Sequence, residues 1–160
     1  MPQDLKMTEH KSADMPAICA ETVKDYLVSA ALHQLDRVRH FIELQGLHPD
    51  TTSRGKPTAL CYAVLKPHHG LMNYVLSKGA DINHRDGMGM TPLHYAALGG
   101  CAYCLACLIN HGARINAENH LGQTPMALTL DKPHLAQSRE FLQRYGASLK
   151  QSELRSTQFH

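Results

Sequence analysis

The sequence predicts an all-α solenoid of stacked helix-turn-helix units, because two independent landmarks recur at one period. The first is a short segment that starts with a threonine at positions 58, 91 and 124. The second is a Gly-Ala pair that starts at positions 79, 112 and 146. Both landmarks return about every 33 residues, a period typical of repeat proteins, in which each unit buries its apolar face against its neighbours.

Residues within one unit explain the helix-turn-helix prediction. Thr91 is a favourable N-cap, and Pro92 suits the first position of a helix because its missing amide has no partner there in any case. Gly99-Gly100 ends this helix. A second helix is indicated by an apolar stripe at helical spacing, formed by Cys104, Leu105, Leu108 and Ile109. Gly112 then ends the second helix in a left-handed conformation.

This unit resembles the ankyrin repeat. The best match runs from Asp86 to Glu118 and contains Thr91-Pro92-Leu93-His94, followed by Gly112-Ala113 and Ile115-Asn116. The resemblance covers about residues 22–149, as four repeats of which the outer two are degenerate: about 22–52, 53–85, 86–118 and 119–149. It implies short β-hairpin-like turns between units and a solenoid that binds a partner protein on its concave face.

The resemblance also implies a structural role for His94. In the family, a histidine at this position links neighbouring turns by hydrogen bonds. We expect the link to be weaker in the flanking repeats, where Cys61 and Ala127 stand at the equivalent positions. Pro67 and Pro133 replace Gly100 between the helices, and we interpret both as structural.

The two ends of the chain have few landmarks. Residues 1–21 are predicted to be a polar extension, in which Pro16-Ala17-Ile18-Cys19 is a candidate start for a capping helix. Residues 150–160 are predicted to be a flexible tail.

Composition narrows the function classes. The 160 residues are 43% hydrophobic and carry a formal charge of +2, which gives no strong attraction to nucleic acid or to an anionic membrane. The chain lacks an apolar run of about 18 residues, so we expect no membrane span. Five cysteines, an odd number, favour free thiols in a reducing compartment such as the cytoplasm.

Metal binding is the sharpest alternative. Cys101-x-x-Cys104-x-x-Cys107 has a spacing that can hold zinc or an iron–sulfur cluster, and His68, Cys101 and His134 stand at equivalent positions of successive repeats. Buried free cysteines also behave as small hydrophobic residues, and this interpretation is preferred because no second pair with metal-ligand spacing follows. We therefore predict no cofactor, with zinc binding in the Cys/His-rich third repeat as the alternative.

Catalysis is not expected. The sequence has no nucleophile elbow, phosphate loop or dinucleotide fingerprint. The short Gly87-Met88-Gly89 segment is explained by the family's hairpin turn. The chain is predicted not to be an enzyme.

The resemblance places partner binding on the hairpin tips and the first helices. Tyr62, Tyr95 and Leu128 recur at the repeat period and would form a column along the concave groove, although residues there can also simply cover the inner helices. Met88, Met90 and Leu121 are expected to be exposed on the tips. The predicted partner-binding residues are Arg54, Tyr62, His84, Arg85, Asp86, Met88, Met90, Tyr95, Asn119, His120 and Leu121.

The predicted mechanism is that a protein segment lies across the groove, anchored by Tyr62 and Tyr95 and held by Arg85, Asp86 and His120. We expect a monomer in the unbound state, acting as a cytoplasmic adaptor or inhibitor. A bacterial effector that acts on a host protein in the host cytoplasm is the alternative. Asn83 and Asn116 occupy the hairpin site that is hydroxylated in some members of the family, so a modification substrate is a further possibility.

Overall fold

The computed structural model describes residues 19–147, and every regular element in that range is helical. This confirms the all-α class. Seven α-helices are present in the described part of the chain: α1 (Ala20–Ala31), α2 (Leu35–Glu43), α3 (Ala59–Leu65), α4 (His69–Ser77), α5 (Pro92–Gly99), α6 (Ala102–Asn110) and α7 (Ala136–Arg144). Two 3-10 helices, Ala127–Thr129 and Pro133–Leu135, lie between α6 and α7.

The helices pack as a stack of pairs. Helices α1 and α2, α3 and α4, and α5 and α6 pair within the first three repeats, and the first helices stack as α1 on α3 and α3 on α5. The stacked faces form one apolar core that runs through the repeats. Small residues allow the inner helices to approach closely. An added Cβ at Gly99, at the end of α5, would lie 2.6 Å from the carbonyl oxygens of Val64 and Leu65 in α3.

Helix boundaries follow the predicted signals. Thr58 and Thr91 are the N-caps of α3 and α5, and Pro92 is the first residue of α5. Gly112 follows α6 with a φ of 91°, a left-handed conformation that an L-residue with a Cβ adopts only at a cost. The degenerate first repeat forms a helix pair although it lacks the Thr-Pro turn.

The fourth repeat differs from the expected helix pair. Only the single 3-10 turn at Ala127–Thr129 stands where the first helix was expected. The Thr129 hydroxyl donates to the Met126 carbonyl at 2.7 Å, and the Arg139 guanidinium donates to the carbonyls of Thr129 and Leu130 at 3.3 Å. Side chains thus satisfy carbonyls that a continuing helix would have satisfied with its own amides, and Pro133 has no amide to offer.

The expected N-terminal extension and C-terminal tail lie almost wholly outside the described residues. Cys19 is the N-cap of α1, the first helix of the first repeat, and the proposed capping helix stays a prediction. None of the helices between residues 19 and 147 has the length and hydropathy that a membrane span requires.

Candidate protein-binding face

The turns between repeats form a row of linked hairpin-like tips. The third tip is closed by the Asp86 amide, which donates to the Met90 carbonyl at 3.1 Å, and the fourth by the Asn119 amide, which donates to the Gln123 carbonyl at 3.0 Å. The tips are also joined to each other. The Gly87 amide donates to the Gly55 carbonyl at 2.7 Å, and the His120 amide donates to the Met88 carbonyl at 2.9 Å.

Asp86 organises the third tip from inside. Its carboxylate accepts hydrogen bonds from the amides of Met88 and Met90, at 2.8 and 2.9 Å, and from the Tyr95 hydroxyl at 2.5 Å. Asp86 is only 7% exposed. The expectation that it faces a partner is therefore wrong, because its acceptor oxygens are already used to shape the turn.

Asn119 has the same role in the fourth tip. Its side-chain oxygen accepts from the amides of Leu121 and Gln123, both at 2.9 Å, and the residue is buried. It too was wrongly expected to contact a partner. A signal in the sequence could have shown this, because Asp and Asn commonly bond the backbone two residues on when they precede a tight turn.

The predicted exposure of Met90 is also wrong. Met90 was expected on an exposed tip, but it is 6% exposed, and its sulfur accepts a hydrogen bond from the Asn119 side-chain amide at 3.4 Å. Met90 therefore links two repeats and is not available to a partner.

The remaining predicted tip residues are accessible. Met88 and Leu121, which stand at equivalent positions of successive repeats, are 61% and 74% exposed on neighbouring tips. Arg54, Arg85 and His120 are exposed, and His84 is half-buried. The Arg85 guanidinium donates to the Glu118 carbonyl at 2.8 Å, so its position is fixed across two tips.

The predicted column on the inner helices is partly accessible. Tyr62 on α3, Tyr95 on α5 and Leu128 in the fourth repeat are each half-buried. Burial raises the pKa of both tyrosines, and for Tyr95 the carboxylate of Asp86 adds to the effect. Both hydroxyls therefore stay protonated at neutral pH, and the Tyr95 hydroxyl is committed to Asp86.

His94 links the third and fourth turns, as the resemblance implied. Its Nδ1 accepts from the Thr91 amide at 3.1 Å, which leaves Nε2 as the protonated nitrogen, and Nε2 donates to the Gln123 carbonyl at 3.0 Å. Burial lowers the pKa of this imidazole. At the equivalent site of the second repeat, the Cys61 sulfur accepts from the Thr58 hydroxyl of its own repeat, at 3.5 Å.

Asn83 provides a second link between repeats that the sequence reasoning missed. Its side-chain oxygen accepts from the Arg114 amide at 2.8 Å, and its side-chain nitrogen donates to the Gly112 carbonyl at 3.2 Å. Asn116 repeats this pattern, donating to the Gly146 carbonyl at 3.5 Å. Hydroxylation of either residue stays a prediction.

The cysteines are not arranged as the sequence spacing indicated. Cys101 and Cys104 lie together with His69, whereas the Cys107 sulfur lies 3.8 Å from Nδ1 of His111. His68 caps its own helix, since its Nδ1 accepts from the Leu71 amide at 3.0 Å. The predicted column of His68, Cys101 and His134 is therefore not the group that the structure brings together.

Comparison with known proteins supports the family directly. The family model described as ankyrin repeats (3 copies) matches residues 26–119, more than half of the chain. The chain therefore belongs to the ankyrin-repeat family, whose repeats are generally non-catalytic and bind proteins.

Three relatives illustrate the range of proteins that contain such repeats. The chain is 29% identical to the inactive serine/threonine-protein kinase TEX14 of Mus musculus over 150 residues, 88% of this chain and 10% of that protein. It is 40% identical to the protein fem-1 homolog A of Danio rerio over 80 residues, 49% of this chain and 12% of the relative. It is 35% identical to protein phosphatase 1 regulatory subunit 27 of Mus musculus over 94 residues, 59% of this chain and 61% of the relative. The chain thus spans about a tenth of the length of the kinase relative.

Proposed function

We propose that this chain is a non-catalytic module that binds one partner protein across its concave face as a monomer in the cytoplasm. The observation that carries the proposal is the pair Met88 and Leu121, two large apolar side chains that stand exposed at the same position of neighbouring tips. Side chains of this kind supply adaptable apolar contacts to a protein surface. The half-buried rings of Tyr62 and Tyr95 extend this apolar surface along the inner helices.

The charge of the tips indicates which partner fits. Once the buried Asp86 is removed from the predicted contact set, the exposed charged members that remain are Arg54 and Arg85. His84 and His120 lie beside them. We therefore propose an extended partner segment that combines apolar anchors with acidic side chains, held by Arg54, Arg85 and His120.

The relatives support a regulatory role. One of them is named as a regulatory subunit of a phosphatase, a role that is exercised by binding another protein. By analogy, we propose that this chain acts as an adaptor or inhibitor. The alternative, a bacterial effector that binds a host protein, uses the same face and differs only in the source of the partner.

The test is affinity capture with the full chain as bait, from lysate of its own organism and from human-cell lysate. Met88→Ala/Leu121→Ala is the loss-of-binding variant. Leu44→Ala is the matched control, because Leu44 is 76% exposed at the end of α2 and is not one of the predicted contact residues. We expect a captured protein to bind the double variant at least about tenfold more weakly than the wild type, and the control equally well.

Two results would contradict the proposal. If the double variant captures as much partner as the wild type does, the binding site does not lie on the tips. Salt screens interactions between exposed charges, so the affinity for an acidic partner segment should fall as the salt concentration is raised. An affinity that does not fall would contradict the proposed acidic side chains of the partner.

A further inference from the structure

His69, Cys101 and Cys104 form a cluster that the proposed protein-binding function does not use. One ligand atom from each residue, a ring nitrogen or a sulfur, lies within 4.8 Å of the other two. Nε2 of His69 is 3.7 Å from the Cys101 sulfur. His69 is exposed, Cys101 is half-buried and Cys104 is buried.

The fold builds this cluster from two neighbouring repeats. His69 is the first residue of α4, and Cys101 is the N-cap of α6, where its sulfur accepts from the Cys104 amide at 3.2 Å. The Cys101 sulfur thus lies at the amino end of the nine-residue helix α6, beside the first-turn residue Cys104. The Tyr103 ring contacts the His69 ring, with the two centroids 4.4 Å apart.

The spacing of these atoms suits one small ion. A tetrahedral zinc ion, with Zn–S of about 2.3 Å and Zn–N of about 2.0 Å, places a sulfur and a nitrogen ligand about 3.5 Å apart. The observed distance between Nε2 of His69 and the Cys101 sulfur is 3.7 Å. The other pairs, within 4.8 Å, need to close by little more than about 1 Å, which side-chain rotation supplies.

We propose that His69, Cys101 and Cys104 bind one zinc ion, with water in the fourth position. Two thiolates and an imidazole are the donor set that zinc takes from proteins. Binding releases the protons of both thiols, so the complex of Zn²⁺ with two thiolates and neutral imidazole carries no net charge. The ion joins α4 to α6 and so adds a bridge between the second and third repeats.

The test uses the full chain, reduced and free of metal, titrated with zinc against a chromophoric chelator. Cobalt(II) titration gives a second readout, because thiolate ligands produce a charge-transfer absorption. The variants are His69→Ala, at an exposed site, and Cys101→Ser, and the matched control is Cys107→Ser, a half-buried thiol on the same helix. Circular dichroism checks that each variant is folded.

We expect one zinc ion per chain, with the thiolate absorption in the cobalt form. Each ligand variant should bind more than about 100-fold more weakly, because even partners that only orient a metal ligand contribute 10- to 100-fold. Cys107→Ser should bind as the wild type does. Failure of the wild type to bind zinc stoichiometrically, or undiminished binding by folded His69→Ala, would overturn the proposal.

Discussion

The Tyr95 hydroxyl donates a 2.5 Å hydrogen bond to the Asp86 carboxylate, which also accepts from two backbone amides of its own turn. This contact fixes the third hairpin tip to helix α5. The tip on which Met88 is exposed is thus shaped from inside by a buried acid.

Asp86→Ala should destabilise the fold by about 2–4 kcal/mol. The substitution leaves the amides of Met88 and Met90 and the Tyr95 hydroxyl without their acceptor, in a site that water reaches poorly. The measurement is the free energy of unfolding in urea. The control is Asp131→Ala at an exposed position, where we expect a change below about 0.5 kcal/mol. Equal effects at the two positions would show that Asp86 does not organise the tip.

Met88 and Met90 should respond in opposite ways to the same substitution. Met90→Ala empties a buried position and should cost about 2–4 kcal/mol of stability, whereas Met88→Ala should cost under about 0.5 kcal/mol because the side chain is 61% exposed. Urea unfolding measures both values. Partner binding should show the reverse order when each variant is compared at a temperature where it is folded. Loss of stability in Met88→Ala would contradict its assignment to the surface.

Gly99→Ala should destabilise the chain by about 2 kcal/mol or more. The new methyl group would stand 2.6 Å from two carbonyl oxygens of α3, so α3 and α5 must separate. Gly70→Ala is the control within a helix, because its methyl group meets its nearest neighbour at an ordinary 3.5 Å. We expect that variant to gain about 0.5–1 kcal/mol. Thermal unfolding distinguishes the two, and a raised Tm for Gly99→Ala would rule out the close approach.

Stability should fall as the pH is lowered, in part through His94. An unfolded chain protonates this imidazole at about pH 6.5, whereas burial lowers its pKa in the folded chain. The unfolded state therefore binds more protons as the pH falls below about 7, and folding loses up to about 1.4 kcal/mol per pH unit in that window. The stability is regained as the pH rises through the ordinary pKa.

The check is the free energy of unfolding between about pH 7 and pH 5 for the wild type and for His94→Gln. We expect His94→Gln to be less stable at pH 7, because it lacks the His94 links, and to show a shallower decline on acidification. His134→Gln, at an exposed histidine, serves as the control. If the free energy of unfolding of His94→Gln falls with pH as steeply as that of the wild type, then His94 is not the source of the acid sensitivity.

Much of the fold follows from the sequence period. The regular spacing of the two landmarks places the helix pairs of the second and third repeats, and Gly112 marks the end of α6 where the structure has it. The link from His94 to the next turn follows from the family resemblance. The period and the helix ends are visible in the residues themselves, whereas the His94 link could be expected only through the resemblance.

The orientation of the tip residues could not be predicted in the same way. Met88 and Met90 have the same chemistry and are two positions apart, yet one is exposed and the other is buried. Met90 is the one that lies against the Asn119 side chain of the next repeat, and the residue types alone do not reveal that contact. The grouping of Cys101 with His69 instead of His68 has a similar cause, because His68 is used as the cap of its own helix.

The short 3-10 turn at Ala127–Thr129 gives the molecule a direction of unfolding. The fourth repeat has a single 3-10 turn in place of its first helix, so it packs on the third repeat with less than a full helix pair. Helices α3 and α5, in contrast, each have neighbours on both sides. In a quasi-one-dimensional stack, each repeat is stabilised by its own contacts and by its neighbours. Loss of structure should therefore start at α7 and travel towards the amino terminus, and the amides of α7 should exchange with solvent before those of α3.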